Sequence, residues 1–250
     1  MLLLVNERRH PRPMLPLDLF PVRPFLAANI VTLLVYGGMG VVFFLLTIQL
    51  QVSLGWRPIS AGAALLPVTG LMLALSSQAG ALARRIGPRW PLTIGPLLIA
   101  AGMVLFSTIE PGDDYLADVF PAVLVFGLGL AASVAPVTAT ALGSIPDERA
   151  GAASGVNNAI SRTGQLLTVA AVPPLVGLTG DALADPIRLT DGFADAMFVG
   201  AALVALGGLS SFLLFSSGPV AEAAIPGEDE PEAVDGRFHC GVESPQLIQR

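Results

Sequence analysis

Long stretches without charged residues alternate with short charged segments along most of the chain. Five of these stretches contain between 20 and 33 consecutive uncharged residues. A helix needs about 20 apolar residues to cross the roughly 30 Å hydrocarbon core of a bilayer. Because lipid offers no hydrogen-bond partners, each stretch must satisfy its own backbone as a helix. The pattern predicts membrane spans over residues 25–49, 60–83, 90–109, 119–142 and 195–216.

A sixth span is predicted over residues 150–178, where the pattern is weaker. Its first half is rich in small and polar residues, its second half is apolar, and Arg162 interrupts it. Counting this segment gives six spans, which places both ends of the chain on the same side of the membrane. The predicted fold class is therefore an all-α integral membrane bundle of six helices.

Composition supports a membrane protein and excludes several other classes. Hydrophobic residues make up 53% of the chain and charged residues 13%, whereas soluble domains carry roughly 25% charged residues. The net charge of −6 argues against a nucleic-acid binder. The single cysteine, Cys240, and the two histidines, His10 and His239, form no metal-ligand or disulfide pattern. We expect no metal, no cofactor and no enzymatic activity.

Arginines are distributed unequally between the segments that connect the spans. With the N-terminus inside, the outer segments hold only Arg57 and Arg188. The inner segments hold the ten others outside the spans: Arg8, Arg9, Arg12, Arg23, Arg84, Arg85, Arg89, Arg149, Arg237 and Arg250. Basic residues favour the cytoplasmic side, so we expect a multi-pass protein of the cell membrane with both termini in the cytoplasm.

Three regions are predicted. Residues 1–23 form a cytoplasmic lead-in, residues 24–216 form the transmembrane bundle, and residues 217–250 form an acidic cytoplasmic tail whose composition is typical of disorder. The apolar opening at residues 1–5 is too short for a signal peptide. It is either the end of a helix that begins elsewhere or an ordinary translation start.

A short internal similarity suggests two sets of three helices. The sequence Ala-Gly-Ala-Ala occurs at residues 61–64 and again at residues 150–153, near the start of the second and the fifth span. An offset of three spans places the two copies in opposite orientations, which is the pattern of inverted repeats in transporters. Since alanine and glycine are abundant here, chance is the alternative explanation.

Arg162 is the most informative polar residue within the spans. A charge at mid-membrane is costly and is expected to face a cavity or a partner. On a helix, Asn158, Arg162 and Gln165 share one face at spacings of four and three, and that face could line a polar pathway. The alternative is that the span begins near Ile160 and that Arg162 extends to the inner surface.

The prolines within the spans have two interpretations. They mark helices that bend during function, or they reflect the ordinary composition of membrane helices. They are Pro67, Pro96, Pro121, Pro136, Pro173 and Pro174.

Two groups of motifs resemble a known family. The loop from Gly80 to Arg89 resembles the cytoplasmic G-x-L-A-D-R-x-G-R-R loop of the major facilitator superfamily. A longer series of residues is similar to the late helices of the fourteen-helix drug:proton antiporters. The series consists of Gly127-Leu-Gly129, Pro136, Ile145-Pro146, Gly151-Ala-Ala-Ser-Gly-Val-Asn157-Asn158, Arg162 and Gly164. The segments 7–20 and 49–67 resemble the stretch that enters the C-terminal bundle of that family.

The resemblance implies one half of a transporter. It covers residues 1–216 and corresponds to the C-terminal six-helix bundle with a 3+3 inverted repeat, while the principal proton-carrying acids of the family lie in the N-terminal half. A missing or separate N-terminal bundle is therefore an expected partner, besides the lipid bilayer and a small organic substrate. Two departures stand out: Arg84 replaces the usual aspartate of the loop, and Leu166-Leu167-Thr168 replaces small residues, which is expected to loosen a helix contact.

The resemblance also implies site residues, because the first, second, fourth and fifth helices of such a bundle face the central cavity. The residues expected to line a substrate pathway are Asn29, Tyr36, Gln49, Asn157, Asn158, Arg162 and Gln165. Those expected to form a cytoplasmic gating loop are Gly80, Arg84, Arg85, Gly87 and Arg89.

The expected function is efflux of small amphipathic or cationic organic compounds, of the proton-antiport type, by a C-terminal half or a truncated form. The chain expressed alone is then expected to show no proton-driven efflux. The alternative is a non-transporting membrane scaffold or accessory subunit, whose function would survive replacement of Arg162 by leucine.

Overall fold

A computed structural model describes residues 21–146 and 149–215, and within these ranges all regular structure is helical. Most of the predicted lead-in and the whole of the predicted tail after residue 216 lie outside the described residues, as do His10, His239 and Cys240. The described residues belong to one compact unit. Its six long helices are α1 (Arg23–Val52), α2 (Leu66–Ile86), α3 (Arg89–Phe106), α4 (Phe120–Gly143), α5 (Ala150–Leu175) and α6 (Pro186–Leu214).

Within residues 21–146 and 149–215, three short helical segments accompany the long ones. A short α-helix, Pro58–Ala63, precedes α2. The π-helical segment Tyr115–Val119 leads into α4, and the 3₁₀ segment Gly180–Ala184 precedes α6. When Pro58–Ala63 is counted with α2 and Tyr115–Val119 with α4, five helices in the described part of the chain are long and apolar enough to cross a membrane, and they match the five uncharged stretches of the sequence. This confirms a multi-pass membrane protein. The crossing of α5, which is less apolar, stays a prediction.

Two of the predicted span boundaries need correction. The last span was expected to begin at residue 195, but α6 begins at Pro186, because the Asp185 side chain accepts hydrogen bonds from the backbone N–H groups of Ile187 and Arg188. The second span was expected to be continuous, but the helix is interrupted at Ala64 and Leu65, just before Pro67. Proline is favoured in the first turn of a helix, where no N–H is required.

The packing of the helices is symmetric between the first three and the last three. Helix α1 packs on α5 and α6, and α4 packs correspondingly on α2 and α3, while α3 and α6 pack on each other. The same set of pairs results when α1, α2 and α3 are exchanged with α4, α5 and α6. An offset of three helices reverses the direction of the chain, so this packing supports the 3+3 inverted repeat that the short alanine–glycine similarity suggested.

Glycines allow the closest contacts in this packing. A Cβ added to Gly102 of α3 would lie 2.7 Å from the backbone of Phe126 in α4, and one added to Gly129 of α4 would lie 2.5 Å from the amide nitrogen of Ile99 in α3. In membranes, small residues at interfaces let helix backbones approach each other.

The outer surface of α3 and α6 carries large exposed apolar side chains. Ile94 and Leu97 of α3 and Phe198, Leu206 and Leu213 of α6 are exposed by 40–80% of their surface. Exposed apolar side chains of this size are typical of lipid contact. Large apolar side chains are also exposed on α2 and α5, such as Leu73 and Leu166.

Candidate functional site

A polar cavity of about 410 Å³ lies between α1, α4 and α5. Tyr36 of α1 and Thr138 of α4 form two of its walls, and the third wall is α5. The α5 residues that line it are Ser154, Gly155, Asn157, Asn158, Ser161, Arg162 and Gln165. This cavity lies toward the end of the bundle at which α1 and α5 begin and α4 ends.

The wall formed by α5 follows from its residue spacing. Ser154, Asn158, Arg162 and Gln165 recur at intervals of three and four, which places them above one another on one helix face. Arg162 lies about 18 Å along the axis from Ala150, near the middle of the helix. Because a helix can extend beyond the bilayer, the start of α5 at Ala150 does not decide between the two interpretations of Arg162, and its place on a pathway stays a prediction.

The polar atoms of this face are not used within the bundle. Arg162, Asn158 and Gln165 have no side-chain hydrogen bond to any residue in the described ranges. Of the described cavity-lining side chains, none is acidic, and helices α1 to α5 contain no Asp or Glu along their whole length. The cavity therefore carries the positive charge of one guanidinium without a neighbouring carboxylate from these helices.

Asn29 occupies a different position from the one expected. It is 3% exposed and lies behind the cavity wall, between α1 and α5. Its side-chain oxygen accepts a hydrogen bond from Asn157 Nδ2 at 3.2 Å, and its own amide donates to the carbonyl of Phe25 at 2.8 Å. Asn157 Nδ2 also donates to Thr32 Oγ1 at 3.0 Å. Asn29 thus positions Asn157 and does not itself line the cavity.

The expectation of a loosened contact near residues 166–168 was wrong. Leu166 and Leu167 are 71% and 60% exposed and point away from α1, whereas the Thr168 hydroxyl lies 2.6 Å from the carbonyl oxygen of Gly37. A Cβ added to Gly164 would lie 2.7 Å from the carbonyl oxygen of Leu33. Gly164 and Thr168 therefore keep the second half of α5 in close contact with α1.

Gln49, also expected on the pathway, lies at the opposite end of the bundle and is fully buried. Its amide nitrogen is 3.1 Å from Thr190 Oγ1 in α6 and 3.4 Å from the carbonyl of Ile109, and its oxygen accepts from Ser53 Oγ at 3.0 Å. These contacts tie α1 to α6 and to the segment after α3. The structure brings Tyr36, Asn157, Asn158, Arg162 and Gln165 together and leaves Gln49 outside the group.

Most residues of the predicted gating loop are helical: Gly80, Arg84 and Arg85 lie within α2, Arg89 is the first residue of α3, and Gly87 lies in the tight connection between the two helices. Arg84 and Arg85 are exposed in the last turn of α2, where positive charge is favourable near the helix C-terminus. Gly87 ends the helix with a φ of +87°, a conformation that favours glycine. Arg89 begins α3 and stacks its guanidinium 3.9 Å from the centre of the Phe212 ring. Whether this loop gates transport stays a prediction.

Sequence reasoning missed four cavity residues, including Gly155, and a second cavity. Ser154, Ser161 and Thr138 line the first cavity, and the spacing of Ser154 from Arg162, two turns of helix, was a usable signal. The second cavity, of about 490 Å³, lies at the other end of the bundle and includes Trp56 and Tyr115, whose rings are 5.9 Å apart in an edge-to-face arrangement.

Comparison with known proteins identifies the family. Residues 3–169 match the family model of the Major Facilitator Superfamily. This chain belongs to the major facilitator superfamily. The match includes α1 to α4 and the part of α5 that carries the cavity-lining face. The chain is therefore a membrane protein of a transporter family.

Two of the similar proteins are drug-resistance proteins of Streptomyces species. The tetracenomycin C resistance and export protein of Streptomyces glaucescens is 32% identical over 183 residues, which cover 72% of this chain and 34% of that protein. The puromycin resistance protein of Streptomyces alboniger is 35% identical over 196 residues, which cover 74% of this chain and 39% of that protein. The chain thus spans little more than a third of the length of these relatives.

Proposed function

We propose that this chain forms one six-helix lobe of an efflux transporter that exports small organic compounds through alternating access. The observation that carries the proposal is the cavity at Arg162, because a charged residue at mid-membrane is expected to mark a substrate or ion pathway. Family membership and the export function named for the Streptomyces glaucescens relative support the same activity.

The second lobe of the transporter would come from a separate or preceding segment. In transporters of this architecture, a substrate site lies between two bundles that rock against each other. The cavity of this chain is bounded by α1, α4 and α5 on one side, which leaves the other side for an N-terminal six-helix bundle. The complex would lie in the plasma membrane. Both termini of the present bundle would then be on the cytoplasmic side.

Coupling to protons would depend on that second lobe. Proton relays in membranes use buried carboxylates or histidines, and α1 to α5 contain none. The present lobe would supply substrate contacts, and its partner would supply the groups that bind and release protons.

The experiment that tests the proposal restores the second lobe. The full chain is expressed in a drug-sensitive bacterium, alone and together with the part of the tetracenomycin C export protein that it does not match, as a separate polypeptide. Accumulation of tetracenomycin C is the measurement. We expect accumulation to fall only when both polypeptides are present, and to rise again when the proton gradient is dissipated.

Two variants sharpen this test. Arg162→Leu should abolish the fall in accumulation, while Arg57→Leu, which removes the same charge from an exposed position between α1 and α2, should leave it intact. If the two polypeptides copurify from membranes but accumulation does not change, the chain is not a transporter lobe and the accessory-subunit alternative is favoured.

A further inference from the structure

The charge of the cavity sets which compounds it can hold. We propose that the Arg162 cavity binds the anionic end of an organic compound, such as a carboxylate or phenolate, and disfavours organic cations. This inference rests on the proposed function and narrows its substrate class. It replaces the broader expectation of amphipathic or cationic substrates with a preference that follows from the residues of the cavity.

The first argument is the arrangement of donors. A guanidinium presents five N–H groups in a planar fork that matches a carboxylate in a bidentate geometry. Arg162 lies one helical turn from both Asn158 and Gln165, on the same face of α5. Each of these three side chains has its donors available, since none is hydrogen-bonded within the described ranges. Together they form a site that donates hydrogen bonds to a ligand.

The second argument is that buried polar side chains hold this part of the cavity wall in place. Asn157 and Ser161 are 9% and 7% exposed, and both line the cavity. Asn157 is held by Asn29 and Thr32, so its two N–H hydrogens are occupied. Ser161 donates to the carbonyl of Asn158 at 2.8 Å. These buried side chains position the α5 face from which Arg162 projects.

The third argument is the location of the negative charges. All acidic residues in the described part of the chain lie in the loops at the other end of the bundle or in the first turns of α6: Glu110, Asp113, Asp114, Asp118, Asp181, Asp185, Asp191 and Asp195. Asp147 and Glu148, between α4 and α5, lie outside the described residues. The helices α1 to α5 themselves provide no carboxylate that would balance the guanidinium for a cation in the cavity. Charge interactions are strong at low dielectric constant, so an anion is favoured over a cation of similar shape.

The test uses two dyes with the same xanthene core and opposite charge. Fluorescein is an anion at pH 7.4, and rhodamine 123 is a cation. The full chain is purified into lipid nanodiscs, and binding of each dye is followed by fluorescence anisotropy against empty nanodiscs. We expect the Kd for fluorescein to be at least about tenfold below that for rhodamine 123.

Four variants identify the group responsible for the preference. Arg162→Gln should remove it, and Arg162→Lys should keep part of it, because the charge stays while the planar fork is lost. Gln165→Glu adds a carboxylate one turn from Arg162 in a nearly isosteric side chain, and it should shift the preference toward rhodamine 123. Arg57→Gln, at an exposed position outside this cavity, should leave both Kd values unchanged.

The inference is overturned if the unmodified chain binds rhodamine 123 as tightly as fluorescein, if it binds neither dye, or if Arg162→Gln keeps the preference. The Gln165→Glu variant decides the question even where Arg162→Gln does not fold. Failure of the proposed function gives a different pattern, in which fluorescein binding is selective but restoration of the second lobe produces no export.

Discussion

The amide nitrogen of Asn157 in α5 donates a hydrogen bond to the side-chain oxygen of Asn29 in α1 across 3.2 Å. Both side chains are buried, and the same nitrogen donates to Thr32 Oγ1 in α1 at 3.0 Å. The contact connects the wall of the cavity to the first helix of the bundle, so the orientation of α5 depends on polar contacts as well as on apolar packing.

This contact predicts a measurable coupling between the two residues. Interhelical hydrogen bonds in membranes contribute about 0.6 kcal/mol on average and up to about 1.7 kcal/mol. In a double-mutant cycle of Asn29→Ala and Asn157→Ala, we expect a coupling energy in this range, measured by unfolding in mixed micelles. Additive effects of the two substitutions would show that the hydrogen bond does not stabilise the bundle.

Close approach of α1 and α5 predicts that a single methyl group at Gly164 is destabilising. Its Cβ would lie 2.7 Å from the carbonyl oxygen of Leu33, and backbone atoms cannot move aside cheaply. We expect Gly164→Ala to lower the free energy of unfolding by about 1–3 kcal/mol, as overpacking does in other interiors.

The matched control for this substitution is Gly151→Ala in the same helix. A Cβ at Gly151 meets no atom within 4 Å in the described part of the chain, and alanine is the better helix former. Its thermal unfolding should be unchanged or slightly improved. Equal losses at the two glycines would mean that helix contact is not the reason for the sensitivity of Gly164.

The buried position of Gln49 predicts a structural role at the end of the bundle opposite the Arg162 cavity. Gln49→Leu would remove the contacts to Thr190 and to the carbonyl of Ile109. Thr190 keeps its contacts to Ser53 and to the carbonyl of Pro186, whereas the carbonyl of Ile109 loses its contact to the Gln49 side chain. The loss of a buried hydrogen-bond partner costs about 1–3 kcal/mol, so we expect a lower unfolding temperature and an unchanged Kd for fluorescein in the folded fraction.

Gln51→Leu is the control, because Gln51 donates only to the carbonyl of Thr47 in its own helix. It should unfold at nearly the temperature of the unmodified chain. A change in ligand affinity caused by Gln49→Leu, without a loss of stability, would instead return Gln49 to the pathway.

The turn between α2 and α3 predicts a specific need for glycine at position 87. Its φ of +87° is a conformation that other residues adopt at a cost of about 1 kcal/mol or more. Gly87→Ala should destabilise the bundle by that amount in thermal unfolding. Gly143→Ala, where φ is helical and no atom lies within 4 Å of the added Cβ, should be tolerated.

Much of the fold could be predicted from the sequence because charge is costly in lipid. Uncharged stretches of sufficient length located five helices, and the order of those helices then implied the alternation of direction. The uncharged stretch that predicts the last span begins at Asp195, but α6 begins nine residues earlier at Pro186, because a helix can continue beyond the bilayer into water. The helix interruption before Pro67 depends on the local backbone conformation at Ala64 and Leu65, which hydropathy does not encode.

The candidate site was predicted in part for a similar reason. Helical spacing groups Asn158, Arg162 and Gln165 on one face without any tertiary information. Spacing cannot show which buried amide faces a cavity and which is used by a neighbouring helix, so Asn29 and Gln49 were placed on the pathway. Their positions depend on contacts with residues 60 to 141 positions away in the sequence.

The central claim is that α5 crosses the membrane and presents Arg162 to a cavity inside it. Its most direct test replaces Cys240 with serine and introduces one cysteine at a time, Ser144→Cys before α5 or Asp181→Cys after it. Labelling of intact cells with a membrane-impermeant maleimide should modify the cysteine at 181, while the cysteine at 144 should react only after the cells are opened. Labelling of both positions from the same side would show that α5 does not span the bilayer and would contradict the account.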